Sequence, residues 1–491
     1  MNILKSKAEF INKISLYLGF GIILYQIFYH IQPFRYVIET AKLEWISPFM
    51  AVSAFALLSI DILVNRVCTK GKYVWLLIGT LAVLSVSAVI NISIGFIDNV
   101  KSVIWQSVQM LYLYPLCYRI EKSKFNSTLR NFYLIVSGVF SSACIFSMYH
   151  FLTFTKYNIG GVRQGIQDGH LFGIFSSVYF AGVICVVLLF TSIYIFVKNK
   201  SIFIKAWSVV TAVLMILYIV LCNSRSVIVS LIAGTMVCVF LSFRNYLSKK
   251  EKVKNGFLKN SLCVVAAVVI AFGIGITNTG MHSVLKTIPI AINYEKPEET
   301  EETEETEQTE NSDDNSEQGE ITADLDRTDI SSENISNNRF NIWRDYLKAT
   351  ANSTKSLLFG LAPGGYMENL RENQPDLYIV SHYKLTYTDL YNEGYIYDVH
   401  NGYITIFVMS GILGVLVFGG FLVMCVFRTL KKIFNMPHIS GRIILYVSII
   451  TTMLIAAFFD CDLFFRVTGT STIFWFVAGL LMHSLEKEGQ I

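Results

Sequence analysis

The chain has 491 residues, 53% of them hydrophobic and only 15% charged, with a formal charge of +4. Soluble globular chains carry roughly 25% charged residues, so this composition excludes an ordinary soluble enzyme, and its apolar content excludes a disordered chain. The 36 Phe and 26 Tyr suit bilayer interfaces or a sugar-binding surface.

A membrane span needs about 20 mostly apolar residues. Twelve runs qualify, in chain order about Ile11–Phe28, Ile46–Val64, Tyr73–Phe96, Val103–Cys117, Phe132–Phe154, Leu171–Val197, Ala206–Cys222, Val227–Phe243, Phe257–Ile276, Gly402–Val426, Ile443–Phe459 and Thr470–Met482. The fourth is weak, because Trp105, Gln106 and Gln109 interrupt it. The first follows Lys5, Lys7 and Lys13 without a small-residue cleavage site and reads as an anchor. With the N-terminus placed inside, basic residues concentrate on alternate loops. Arg119, Lys122, Lys124 and Arg130 fall on one inner segment, and Arg244 with Lys249, Lys250, Lys252, Lys254 and Lys259 on another. The short outer loops hold few, among them Lys101, Arg163, Arg225 and Arg466. This is the positive-inside pattern. It predicts an all-α polytopic membrane protein of about 12 transmembrane helices, both termini cytoplasmic, with one large extracytoplasmic loop between spans 9 and 10.

The expected organisation is residues 1–276 as spans 1–9, residues 277–401 as the outer loop, and residues 402–491 as spans 10–12 with a cytoplasmic tail. The outer loop has two unlike parts. Glu295–Asn334 repeats Glu-Glu-Thr and holds 17 acids against Lys296 and Arg327. It has too few apolar residues for a core and is expected to be a disordered, solvated spacer or a cation- or partner-binding tail. In residues 335–401, Phe340, Trp343 and Leu347 stand at helical spacing and predict an amphipathic helix. Leu361-Ala362-Pro363-Gly364-Gly365-Tyr366 is a turn cluster. Tyr378, Tyr383, Tyr387, Tyr391, Tyr395 and Tyr397 then follow closely, either as interface anchors or as rings stacking on sugars.

The nine cysteines suggest no disulfide framework, and no Cys or His spacing resembles a zinc site. Neither a P-loop nor a dinucleotide fingerprint is present. Four residues invite chemistry. Arg163, Arg225 and Arg339 are outward arginines near the apolar slab, where an ionisable group is a functional candidate. Their guanidinium forks suit a phosphate, although an interfacial Arg can also snorkel to headgroups. His400, just before the tenth span, can act as a base, because the positive end of a helix dipole keeps imidazole neutral. It can equally be a capping histidine bonded to Asn401.

In order along the chain stand Gly161-Val162-Arg163-Gln164-Gly165, Asn223-Ser224-Arg225-Ser226, Arg339-Phe340-x-x-Trp343, Phe359-Gly360-Leu361-Ala362-Pro363-Gly364, Asp398-Val399-His400-Asn401-Gly402-Tyr403 and Ser410-Gly411-Ile412-Leu413-Gly414. This ordered set resembles the bacterial O-antigen ligase and polymerase family, and Gln167-Asp168-Gly169-His170 stands where relatives often show Asn-Pro-Asn. The resemblance implies a GT-C type glycosyltransferase of the bacterial cytoplasmic membrane, active on the outer face, without metal or cofactor. It implies an undecaprenyl-pyrophosphate-linked oligosaccharide as donor, a chain-length regulator as a protein partner, and no nucleic acid. His400 is then the catalytic base, and Arg225, Arg339 and Arg163 hold the pyrophosphate. Asn401, Trp343, Tyr403 and Gly364 support the site or the substrate. The activity is polymerisation of O-antigen or capsular repeats, ligation to a glycolipid, or, from the span count alone, flipping of a lipid-linked oligosaccharide.

Overall fold

A computed structural model describes residues 2–159, 162–249, 256–288 and 338–487. The acidic insert at 295–334 therefore lies outside the described residues. The first part of the chain forms α1 (Asn2–Phe28), α2 (Gln32–Thr40), α3 (Ile46–Val64), α4 (Val74–Ile90), α5 (Phe96–Val108) and α6 (Phe125–Leu152). An antiparallel sheet follows, with strands β1 (Lys156–Ile159), β2 (Val162–Gln167) and β3 (His170–Gly173) in that order. Next come α7 (Val178–Lys198), α8 (Ile202–Leu221), α9 (Arg225–Lys249) and α10 (Gly256–Leu285). The outer segment supplies α11 (Arg339–Ala351), α12 (Thr354–Phe359), α13 (Tyr366–Asn373), α14 (Tyr378–Thr386) and α15 (Thr388–Asn392). The chain closes with α16 (Gly402–Asn435), α17 (Gly441–Ala456) and α18 (Gly469–Lys487).

Each of the twelve apolar runs falls largely in a helix. Among the described residues, eight helices are long and apolar enough to cross a membrane, and α4 and α17 are shorter apolar ones. The protein is an all-α polytopic membrane protein. Burial ranks the helices: 67% of the α7 span is enclosed by protein against 11% of α10. A helix apolar on every side suits either a packed centre or lipid, and here α7 takes the centre and α10 the rim.

The weak fourth run has a structural reason. Helix α5 continues through a π-helical turn at Gln109–Leu113 into a 3-10 stretch at Tyr114–Arg119, a rod of roughly 36 Å if it were all α-helix. Gln106 and Gln109 are fully buried within it. This span faces protein rather than lipid, so it need not be uniformly apolar.

Helix α16 is kinked at Gly411, whose φ of 63° and ψ of −167° lie in a region open essentially to glycine. The kink frees backbone groups, and neighbours take them up. The Val408 carbonyl accepts from Leu361 N at 2.8 Å, and the Met409 carbonyl from Ser87 Oγ at 3.3 Å. A Cβ on Gly411 would sit 2.4 Å from the Leu358 backbone, and one on Gly360 2.5 Å from Ser410 N. The Phe359-Gly360 and Ser410-Gly411 motifs are thus two halves of one backbone-to-backbone contact. Gly411→Ala is expected to destabilise the protein by about 1–3 kcal/mol from backbone strain alone. A lowered unfolding midpoint of the detergent-purified protein is the readout, and an unchanged midpoint would contradict the packing described.

Candidate functional site

His400 lies at the mouth of α16, in a loop tied down on both sides. Its φ is +47°, a left-handed conformation uncommon for a residue with a side chain. On one side Trp343 Nε1 donates to the Val399 carbonyl at 2.9 Å. On the other, the Asn401 side chain caps α16 by accepting from Tyr403 N and Ile404 N at 3.0 and 3.1 Å. Asn401 Nδ2 also donates to the Phe458 carbonyl, and Gly402 N to the Ala457 carbonyl. Tyr403 packs on Phe458 and Phe464 and donates to the Leu454 carbonyl. Asn401, Trp343 and Tyr403 therefore position His400 rather than reach into open space. Asn401→Ala is expected to remove the cap at about 1 kcal/mol, whereas Asn401→Ser keeps it. Unfolding midpoints in that order, with the parent highest, are the test.

Around His400 the fold gathers residues far apart in sequence. Arg466, in the loop before α18, pairs with Asp398 Oδ2 and donates to Tyr366 Oη at 2.7 Å. Asp398 Oδ1 accepts from Val399 N at 2.7 Å and from Tyr366 Oη at 3.1 Å. The two charged side chains keep 29% and 28% of their surface open although protein surrounds them closely, which describes the wall of a cleft. Burial alone would raise the Asp398 pKa, but Arg466 and His400 overcome it and hold the carboxyl below its usual range. The π turn in the fourth span feeds the same wall, since Gln109 Nε2 donates to the Arg466 carbonyl at 2.7 Å.

The pKa of His400 is lowered, chiefly by burial, with Asp398 opposing and Arg339 assisting. The shift runs in the direction expected from the helix terminus, but desolvation is its first cause. Arg339, at the start of α11, also acts on Asp460 and on the buried Tyr179 at the start of α7. The Tyr179 hydroxyl has no hydrogen-bond partner among the described residues. Asp460 and Asp462 are both raised, first by burial, then by Asp398 for the former and by Asp460 for the latter. The ligand atoms of Asp460, Cys461 and Asp462 lie within 4.8 Å of one another, a spacing that could hold a metal ion. Asp460 Oδ1 already accepts from Cys461 N at 2.7 Å.

Arg225 is exposed as the first residue of α9. A Cβ on Gly182 of α7 would lie 2.5 Å from Val227, so the start of α9 packs one turn from Tyr179. The Asn223 side chain donates to the Gly169 carbonyl, and His170 Nδ1 to the Cys222 carbonyl. These bonds fasten the Arg225 loop to the β2–β3 turn. Arg163, on β2, instead pairs with Asp168 at 2.5 Å, both side chains more than half exposed. Among the described residues its guanidinium has no ion pair or hydrogen bond to His400, Asp398 or Arg466.

Two expectations change. Gly364 is a packing residue, since a Cβ there would lie 2.1 Å from the Asp98 carbonyl oxygen and its N–H donates to Asn99 Oδ1 at 2.9 Å. Helix α11 buries Ile342, Tyr346 and Ala349, whereas Phe340 and Leu347 point outward at 66% and 42% exposure. Two helical stripes are available in that stretch. The one that wins lets Tyr346 donate to the Tyr397 carbonyl at 2.6 Å. The tyrosines of α14 and its neighbours largely satisfy one another: Tyr378 and Tyr397 stack at 6.1 Å, and Tyr383 meets Tyr397 edge-on at 4.9 Å. The three-stranded sheet was not foreseen, although Gly160-Gly161 between two short runs is a hairpin signal. Asp398, Tyr366, Tyr179, Asp460, Asp462 and Arg466 are candidate site residues that spacing along the chain could not single out.

Residues 210–419 match the family model described as O-Antigen ligase. No curated protein and no solved structure matches the chain. The match covers 210 of the 491 residues, and over that part the chain is similar to the O-antigen ligase family. It takes in Arg225, Arg339, His400 and the Gly411 kink, and leaves Arg163 and Arg466 outside.

Proposed function

We propose that the protein polymerises undecaprenyl-pyrophosphate-linked repeat units into O-antigen or capsular polysaccharide by inverting glycosyl transfer on the outer face of the cytoplasmic membrane. The observation that carries this reading is a half-buried His400 at the mouth of α16, within electrostatic reach of Arg339, with Arg225 exposed at the start of α9. His400 takes the proton from the acceptor hydroxyl as that oxygen attacks the anomeric carbon. The glycosidic C–O bond to the pyrophosphate breaks, and its charge is met by Arg339 and Arg225 in a poorly hydrated cleft. Asp398, fixed by Arg466 and Tyr366, keeps a negative charge close to the imidazolium that forms.

An apolar groove of about 840 Å³ supports a lipid-linked donor. It runs between α7, α8, α9, α10 and α17 and reaches Ile219 and Val220, just before the Asn223-Ser224-Arg225 loop. A polyprenyl tail in this groove brings its pyrophosphate to Arg225. The outer position of the site and the cytoplasmic termini rest on the basic loops. The test is reconstitution with one purified undecaprenyl-pyrophosphate repeat. A ladder of chain lengths is expected. Transfer only to a separate glycolipid would make the enzyme a ligase, and an unconsumed donor would make it a transporter.

A further inference from the structure

A second cavity lies at the opposite end of the same helices. It occupies about 660 Å³ between α6, α7, α17 and α18. On α7 its wall runs from Ile184 to Lys198, roughly 21 Å of helix. Tyr179 and the His400 cluster lie beyond the Ile184 end, so the Lys198 end is the far one. The cavity is graded in polarity. Ile184, Val187 and Leu188 face Ile473, Phe476 and Val477 in the shaft, whereas Arg130, Lys198 and Arg442 stand at the mouth with Asn126 and Ser440.

The mouth is cationic and uncompensated. No Asp or Glu among the described residues lines the cavity. Among the described residues, none of Arg130, Lys198 and Arg442 is in an ion pair. Arg130 Nε is buried and has no hydrogen-bond partner among the described residues. Arg442 lies over the Phe125 ring at 5.9 Å, which holds it at the rim. Gly441 brings the start of α17 close enough that a Cβ there would lie 3.4 Å from Tyr194 and 3.6 Å from Lys198, so the mouth is assembled from three separate helices.

We propose that this cavity is a binding site for one anionic glycerophospholipid of the leaflet opposite the His400 cluster, its phosphate held by Arg130, Arg442 and Lys198 and an acyl chain in the shaft. Three arguments converge. Guanidinium forks match phosphate oxygens. Basic pockets between transmembrane helices favour anionic headgroups over zwitterionic ones. The shaft is longer than the roughly 15 Å of one leaflet's hydrocarbon, so a chain can enter at full leaflet depth. A free phosphate ion would satisfy the mouth and leave the shaft empty, and a zwitterionic lipid would bring its own cation among three others. The lipid ties α6, α7 and α17 together at the end far from the chemistry.

The test uses the full-length protein, delipidated in detergent and exposed to equimolar phosphatidylglycerol and phosphatidylcholine, with retained lipid read by native mass spectrometry. Phosphatidylglycerol should be retained at least about tenfold over phosphatidylcholine, as expected for two or three basic contacts. Arg130→Gln with Arg442→Gln should bring the two lipids to parity. Thr191→Trp, which fills the shaft from a partly open position, should lower retention of both, and an unchanged elution profile verifies its fold. Equal retention by the parent, a double variant that keeps the preference, or displacement by millimolar inorganic phosphate alone would each overturn the proposal. No sugar donor is present, so the outcome is independent of the transferase reading.

Discussion

His400→Ala lowers glycosyl transfer by roughly 10²–10⁴-fold, the usual contribution of a positioned general base, while the unfolding midpoint stays near that of the parent. His400→Gln fills the same space, cannot take a proton in the working range, and should be equally impaired. The pH profile of the parent carries the same information. Burial and Arg339 lower the His400 pKa and Asp398 only partly opposes them. The base form therefore persists below the ordinary histidine value of about 6.5. Transfer should stay level as pH falls from 8 to 6.5 and decline only beneath that. The sign follows from the requirement for neutral imidazole: a lower pKa extends activity toward acid. A limb centred above 6.5, or a well-folded His400→Ala enzyme with parental rates, would remove His400 from the reaction.

Asp61→Asn should destabilise the protein by about 3–5 kcal/mol, because it leaves a buried arginine uncompensated. Asp61 and Arg119 form an ion pair at 2.9 Å with both side chains fully enclosed. Arg119 also donates to Asn12 Oδ1 at 3.0 Å and lies over the Tyr112 ring at 5.5 Å, and Asp61 Oδ2 accepts from Cys68 N at 3.0 Å. The Tyr112 hydroxyl donates to the Ser15 carbonyl at 2.8 Å. One pair thus joins α1, α3 and the end of the fourth span. Arg119 Nε and Nη2 are buried without partners among the described residues, so the bridge itself is incompletely satisfied. Replacing both residues, Asp61→Leu with Arg119→Met, should therefore cost much less than either change alone. A thermal-unfolding double-mutant cycle in detergent measures this. Additive losses would show that the pair is not coupled.

The spans were legible because each is encoded locally. A helix in lipid must satisfy its own backbone and present apolar side chains throughout, so its signal is contained in some twenty consecutive residues. The loop ahead of α16 was legible in part: the sequence suggested capping by His400, whereas the Asn401 side chain makes the cap. The fourth run showed in the sequence only as a weak one interrupted by Trp105, Gln106 and Gln109, and the packing that buries both glutamines explains the interruption. A span enclosed by other helices is released from the demand for uniform hydrophobicity.

The cleft around His400 belongs to tertiary structure. Arg466 looked like one more base on a short outer loop, and Asp398 like the flank of a histidine motif. Nothing along the chain links them, because the ends of α7, α11, α16 and α18 meet only after the helices pack. The same applies to α11, where two apolar stripes compete and the Tyr346–Tyr397 bond and the surface beneath choose between them. It applies also to Gly360 and Gly411, which read as separate motifs and prove to be the two sides of one contact. The sequence by itself determined that this chain is a polytopic membrane protein with a histidine poised before a span, because hydrophobic periodicity and capping act over a few residues. That Arg466 pairs with Asp398 beside that histidine was decided by a contact between residues 68 positions apart.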